Sequence, residues 1–316
     1  MTNYIIKRTL AALLVIFIVS VFVFSIIHLL PGDPVRMALG GEAPEEDVQR
    51  IREAKNLNLP APQQYLYWIT GLFKGDFGDS LIQDRSVRQM FVERLPRTLA
   101  IGIPSFVIGI IIGILFGIIS AIRRGKIIDQ FITLLTTLGI GTPQFWIGML
   151  FLYIFSVKLG WFPMRNIVLP GESISGYIKS AALPVFCSCL HMIATVSRQT
   201  RSNMLEVISQ DYIRTARANG IEEGRIVYGH ALKNALIPVV TVVGMQMRGI
   251  IGGSVLIENV FSIAGVGTMM TDAINNRDYW VLQSCVLLIS IFAVFSNLLV
   301  DIIYGYIDPR IREARG

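Results

Sequence analysis

The side chains best suited to chemistry are few, and their spacing suits none. Cys187, Cys189 and Cys285 are too few for a disulfide framework, and each falls inside an apolar stretch. Cys187 and Cys189 stand two apart, so on a helix they point to different sides, and all three read as buried thiols. His28, His191 and His230 are scattered without metal-ligand spacing. The phosphate-cradling pattern G-x-x-x-x-G-K-[ST] is absent, so the chain has no ATP site of that kind. H-E-x-x-H and G-x-S-x-G are absent too, which leaves zinc hydrolysis and serine hydrolysis without support. Gly75-Asp76-Phe77-Gly78 reads as a turn. A membrane enzyme needs a convergent nucleophile, base or metal site, and none is visible. The expectation is a non-enzyme with no cofactor or metal of its own.

Function must then lie in the elements. Of 316 residues, 53% are hydrophobic and 16% charged, against about 25% charged in soluble domains. The mean hydropathy is +0.58. These values exclude a disordered chain, a collagen and a nucleic-acid-binding tail protein. An ordinary soluble enzyme is also disfavoured, because a core of this size cannot hide so much apolar surface, whereas a bilayer can. The net charge of +6 would suggest nucleic acid in a soluble protein; in a membrane protein it belongs in cytoplasmic loops.

A crossing helix needs about 20 predominantly apolar residues. Runs free of Asp, Glu, Lys and Arg cover 9–30, 98–122, 130–157, 180–197 and 279–300, and 235–257 is interrupted only by Arg248. The expected fold is an all-α polytopic membrane protein with six crossings, none holding an interior carboxylate. The first run is long for a signal peptide, no A-x-A follows it, and it reads as a retained anchor. The N-terminus, 123–129, 198–233 and the tail together carry fourteen Lys and Arg, against four in 158–179 and 258–278. Both termini are therefore expected in the cytoplasm.

Loop 31–97 is too long for a connector and is expected to fold outside. Residues 45–57 suit a short helix ended by Pro60 and Pro62. The aromatic run 63–73 fits either a segment at the membrane boundary or internal packing of the loop. Gly109, Gly113 and Gly117 stand four apart and make a smooth stripe for close helix packing. Gly244, Gly249, Gly252 and Gly253 would permit bending or tight contact.

Segment 206–238 is the most informative. Good helix formers run from Gln210 to Asn219, Gly220 suits the left-handed position that stops a helix, and Glu222 and Glu223 suit the first turn of the next. The result is a helix–turn–helix with small and basic residues near the turn. It is either a docking element or a solvated loop.

Residues 212–220 (Tyr-Ile-Arg-Thr-Ala-Arg-Ala-Asn-Gly) and 230–238 (His-Ala-Leu-Lys-Asn-Ala-Leu-Ile-Pro) resemble the coupling loop of permease subunits of ABC importers. The chain is closest in pattern to the "B" permeases of the dipeptide, oligopeptide and nickel group. Leu-Pro-Gly-Asp-Pro (30–34), Gly-Asp-Phe-Gly (75–78), Glu-Asn-Val-Phe-Ser with Gly-Val-Gly (258–267), Arg-Asp-Tyr (277–279) and Asp-Pro-Arg-Ile-Arg (308–312) match as well. The general importer pattern begins Glu-Ala-Ala; here Arg214, Thr215 and Ala216 precede Gly220, and Pro238 follows it by 18 residues, as in the peptide branch.

The resemblance implies a type I ABC importer permease fold. Residues 1–30 would be an anchor helix, 31–97 an extracytoplasmic loop, 98–304 the transmembrane domain, 206–238 its cytoplasmic coupling loop and 305–316 a cytoplasmic tail. It implies a heterodimer with a second homologous permease, two cytoplasmic ABC ATPase subunits that carry ATP and Mg, an extracytoplasmic substrate-binding protein, and a prokaryotic cytoplasmic membrane. No nucleic acid is involved. The coupling residues would be Tyr212, Arg214, Thr215, Ala216, Arg217, Ala218, Gly220 and Ile221. Di- or oligopeptides are the implied cargo, with nickel or other metal chelates, glutathione and oligosaccharides as alternatives. Arg248, a charge that costs at least about 2.5 kcal/mol to bury in a bilayer, lines the pathway or meets a structural partner. His191 has the same two readings. An ion-coupled secondary transporter is the rival, and it would need midplane carboxylates.

Overall fold

The computed structural model describes residues 2–29, 33–39 and 43–307. Helix α1 (Thr2–Leu29) is followed by α2 (Pro34–Leu39), α3 (Glu45–Ala54) and α4 (Ala61–Phe73). A two-residue antiparallel pair, β1 (Asp79–Ser80) with β2 (Arg85–Ser86), leads into the long α5 (Val87–Ile122). Next come α6 (Ile127–Gly141), α7 (Gln144–Phe151) with a π-helical extension to Lys158, α8 (Ile174–Ile208) and α9 (Asp211–Ala218). The short α10 (Glu223–Arg225) passes through π-helical turns into α11 (Leu232–Gln246). Four helices follow among the described residues: α12 (Gly249–Gly252), α13 (Val255–Val260), α14 (Val266–Asn275) and α15 (Tyr279–Ile307).

Among the described residues, five helices are long and apolar enough to cross a membrane: Tyr4–Ile26, Val87–Ile122, Ile174–Ile208, Glu223–Gln246 and Tyr279–Ile303. The pair α6–α7 makes a sixth crossing if its two halves are counted as one. The fold is thus all-α and polytopic, with a helical segment inserted after the first span. Leu10, Phe17 and Phe22 on α1 point outward, as lipid-facing side chains must.

Two expected spans are not continuous. Residues 130–157 bend by 104° between α6 and α7. The cause is Pro143, which holds Thr142 in extended backbone at φ −98°, ψ 132°. Residues 235–257 do not form one helix either. The crossing starts at Glu223, inside the segment read as coupling loop, and ends at Gln246. Beyond it Gly249, Gly252 and Gly253 divide the chain into α12 and α13, since glycine weakens a helix interior by about 1 kcal/mol per residue. The runs 98–122 and 180–197 belong to longer helices, because residues such as Arg198 and Arg201 remain helical. Helix α15 continues past 304. Leu30, Pro31 and Gly32, together with 308–312 and the tail arginines 310, 312 and 315, lie outside the described residues.

Helices α5 and α8 run side by side in the same direction. A Cβ on Gly109, Gly113 or Gly117 would fall within 2.4–2.7 Å of Met192, Val196 or Thr200, so only glycine permits this approach. Both bundle ends are tied. At one, Val87, Met90, Met269, Ala273, Val281 and Cys285 form a cluster beneath β1–β2. At the other, Tyr4 Oη donates to the Asp301 carbonyl at 3.0 Å and Arg8 pairs with Asp301 at 3.0 Å, joining the start of α1 to the end of α15. Helix α4 packs on the far end of α1: Trp68 stacks on Phe24 at 6.0 Å and Tyr65 meets the same ring edge-on at 5.4 Å. These contacts bear out internal packing of the aromatic run, while Leu66, Tyr67 and Phe73 face outward.

Candidate functional site: the coupling helix and the central cavity

Helix α9 is an eight-residue helix that lies across the ends of the membrane helices. Its single buried side chain, Ile213, seats it on Met204 of α8, Ala121 of α5, and Ile226, Val227, Ala231 and Ala235 of the following helices. A small rigid body results, packed on the ends of three spans. Its C-terminus is a Schellman cap: the N–H of Ile221 donates to the Ala216 carbonyl at 3.2 Å, and the N–H of Gly220 to that of Arg217 at 3.0 Å. Gly220 takes φ +75°, and a Cβ built on it would meet nothing within 4 Å. Arg217 reaches over the turn and grips Glu223 through Nε (3.0 Å) and Nη2 (2.6 Å). The carboxylate holds the Arg217 guanidinium further above its ordinary value.

The expected coupling residues divide by direction. Tyr212, Arg214, Thr215, Ala218 and Gly220 are exposed. Tyr212 Oη accepts from Asn234 Nδ2 at 2.9 Å, and Arg214 pairs with Asp211 at 3.5 Å. Ala216 and Ile221 turn inward and pack on the Ile213 cluster. Sequence reasoning missed Ile213, although it is the one branched apolar residue between Asp211 and Ala218. It also missed the brace beside it. Arg201 of α8 makes a two-pronged pair with Asp129 of α6 at 2.8 and 3.0 Å, and Ser120 of α5 donates to the same carboxylate.

A cavity of about 200 Å³ opens midway along α5 and α8, lined in part by Ser105, Gln144, Ser188, His191 and Gln246. His191 is exposed there. Arg248 is exposed but does not line this cavity, although Gln246 and Gly249 beside it do.

The largest departure from expectation is a carboxylate. Glu258, one residue past the expected span, is fully buried. Its Oε1 accepts from Thr98 Oγ1 at 2.7 Å and Ser254 Oγ at 2.8 Å; its Oε2 accepts from the Thr268 N–H at 3.1 Å. Thr98 Oγ1 accepts in turn from the Val266 N–H at 2.9 Å. A Cβ on Gly265 would lie 2.4 Å from the carboxylate. Glu258 therefore locks α5, α13 and α14 together. It does not line the central cavity, and Asp129 is committed to Arg201.

Comparison with known proteins places this architecture. The model of the family "Binding-protein-dependent transport system inner membrane component" matches residues 113–313, and that of its N-terminal segment matches 1–102. The chain belongs to this family. It is a multi-pass inner membrane component and the permease subunit of an ABC importer, a class that works with ATPases and substrate-binding proteins. The permease is 37% identical over 309 residues to a probable peptide ABC transporter permease, y4tP, of Sinorhizobium fredii, covering 98% of this chain and 99% of that one. It is 39% identical over 312 residues to the glutathione transport system permease GsiC of Escherichia coli K12, covering 99% of each. Its fold resembles a chain of an amino acid ABC transporter (TM-score 0.56, 14% identity, 69% of this chain and 94% of that one). It also resembles a chain of the inward-facing MetNI methionine ABC transporter (TM-score 0.57, 17% identity, 70% and 97%).

Proposed function

We propose that this permease pairs with a second, homologous permease and passes di- or oligopeptides inward, worked by two cytoplasmic ATPases that grip α9. The observation that carries this reading is the geometry of α9, a capped helix whose exposed side offers small and basic residues. Its buried side is keyed into the ends of α5, α8 and α11. Such an element transmits a push as a rigid body, and ATPase closure then biases the bundle between inward-open and outward-open states. Tyr212, Arg214, Thr215, Ala218 and Gly220 form the contact surface. Arg217, Ala216 and Ile221 hold its shape. ATP and Mg stay on the partner subunits.

Both termini lie with α9 in the cytoplasm, and α3 and α4 face the binding protein outside. The peptide assignment is supported by the similarity to the probable peptide permease y4tP. Glutathione is the second reading, favoured by the 39% identity to GsiC; it is itself a modified tripeptide. Competition separates them: cells carrying the complete transporter take up a labelled dipeptide, and unlabelled oligopeptide is expected to block this more strongly than glutathione. The reverse order assigns glutathione, and failure of the complete transporter to take up either the labelled dipeptide or oligopeptides removes the peptide class.

His191 and Arg248 belong to the pathway in this account, with Arg248 drawing a substrate carboxylate across the face that meets the second permease. Arg248→Gln is expected to lower uptake of carboxylate-bearing cargo by about tenfold, the loss of one charge-assisted contact. Wild-type uptake of every substrate by the variant would remove the assignment.

A further inference from the structure

A second cavity, of about 500 Å³, shares no residue with the central one. It lies at the end of the bundle opposite α9, between the end of α1, the segment from α3 to β1, helix α4 and the start of α15. Its size falls within the roughly 300–1,000 Å³ of small-molecule sites. The walls combine rings, Phe24, Trp68 and Trp280, with charges, Lys55, Asp76 and Asp79. Lys55 and Asp79 pair with each other at 2.6 Å, while Asp76 Oδ1 accepts the Gly78 N–H at 2.9 Å.

One group in this wall is unsatisfied. Gln283 on α15 is 7% exposed, and its Nε2 has no acceptor among the described residues. A buried amide donor without a partner is costly and points to an acceptor that a ligand would bring. That acceptor must arrive beside aromatic rings, which favour a cation, and beside two carboxylates facing one lysine. The complementary ligand carries both an anionic oxygen and an ammonium.

The surroundings decide which zwitterion. Helix α4 contains no charged residue, and Leu66, Tyr67 and Phe73 remain exposed on it, Phe73 at 88%. Helix α1 carries exposed Phe17, Val21 and Phe22 below the same cavity. An uncharged helix with outward apolar side chains lies in the membrane boundary, and outward apolar side chains on a crossing helix face acyl chains. We propose that this cavity holds the headgroup of an amine-bearing zwitterionic phospholipid. Its phosphate accepts from Gln283 Nε2, its ammonium lies near Asp76 and the tryptophans, and its acyl chains follow α1. The lipid would clamp the folded outer segment onto α1 and α15.

The test uses the complete transporter, purified in mild detergent with equal amounts of phosphatidylethanolamine and phosphatidylglycerol and read by native mass spectrometry. The wild type is expected to retain one phosphatidylethanolamine in preference to phosphatidylglycerol. Gln283→Leu is expected to lower that retention by about tenfold, as loss of a hydrogen bond to a charged group implies. Asp76→Asn is expected to lower phosphatidylethanolamine retention alone. If Gln283→Leu fails to assemble, Gln283→Glu sets a carboxylate of similar volume against the phosphate and is read the same way. Equal retention of the two lipids, or retention unaffected by a variant at Gln283 that assembles, overturns the proposal. Displacement of the lipid by a free dipeptide that depends on Gln283 also overturns it and makes the cavity a cargo site.

Discussion

Gly220→Arg is expected to leave the permease in the membrane and to abolish its work. The position sits at φ +75°, where a side chain costs about 1–2 kcal/mol, and the space around a Cβ is open to 4 Å. The arginine therefore strains the turn modestly and projects outward, away from the Ile213 cluster and into the volume an ATPase would occupy. Insertion should be near wild type, whereas co-purification of the ATPase subunits and ATP-driven uptake should each fall by at least about tenfold, the effect of little more than 1.4 kcal/mol of lost docking. Gly220→Ala separates the two effects, since it carries the same backbone strain with almost no protrusion and should keep most of the uptake. Normal transport by Gly220→Arg would remove α9 from the coupling path.

Glu258→Ala should show the largest loss of stability. The fully buried carboxylate is the common acceptor for Thr98, Ser254 and the Thr268 N–H. Its removal strands these donors and leaves a void under α14, at a cost of about 3–5 kcal/mol. Thermal unfolding of the purified permease should shift to clearly lower temperature, and the amount inserted should drop. Gly265→Ala should act in the same direction, because its methyl would stand 2.4 Å from the same carboxylate. Unchanged stability in both variants would mean that α5, α13 and α14 are held by something other than this acid.

The spans and their order were legible because a bilayer makes apolar length a direct signal. Gly220 was legible for a local reason: Asn219-Gly220 after a helical run leaves the left-handed cap as the natural ending. The bend at Thr142 was written in Pro143, but counting uncharged residues passes over it. Broken helices at α12 and α13 were similarly hidden, since glycine is as apolar as it is disruptive. Glu258 could not be read as a lock, because its partner Thr98 stands 160 residues away. Asp129 and Arg201 looked like edges of uncharged runs, and only their meeting across 72 residues makes them a brace. Ile213 was visible but ambiguous: one apolar residue in a polar helix does not say which neighbours it will meet.

The central claim is that this subunit is a gate with no engine of its own. Proteoliposomes decide it. With the second permease, the ATPases, the binding protein and internal ATP, labelled peptide should accumulate above the external concentration, and omission of the ATPases should leave none. Uphill accumulation by this subunit alone, powered by an imposed proton or sodium gradient, would contradict the account.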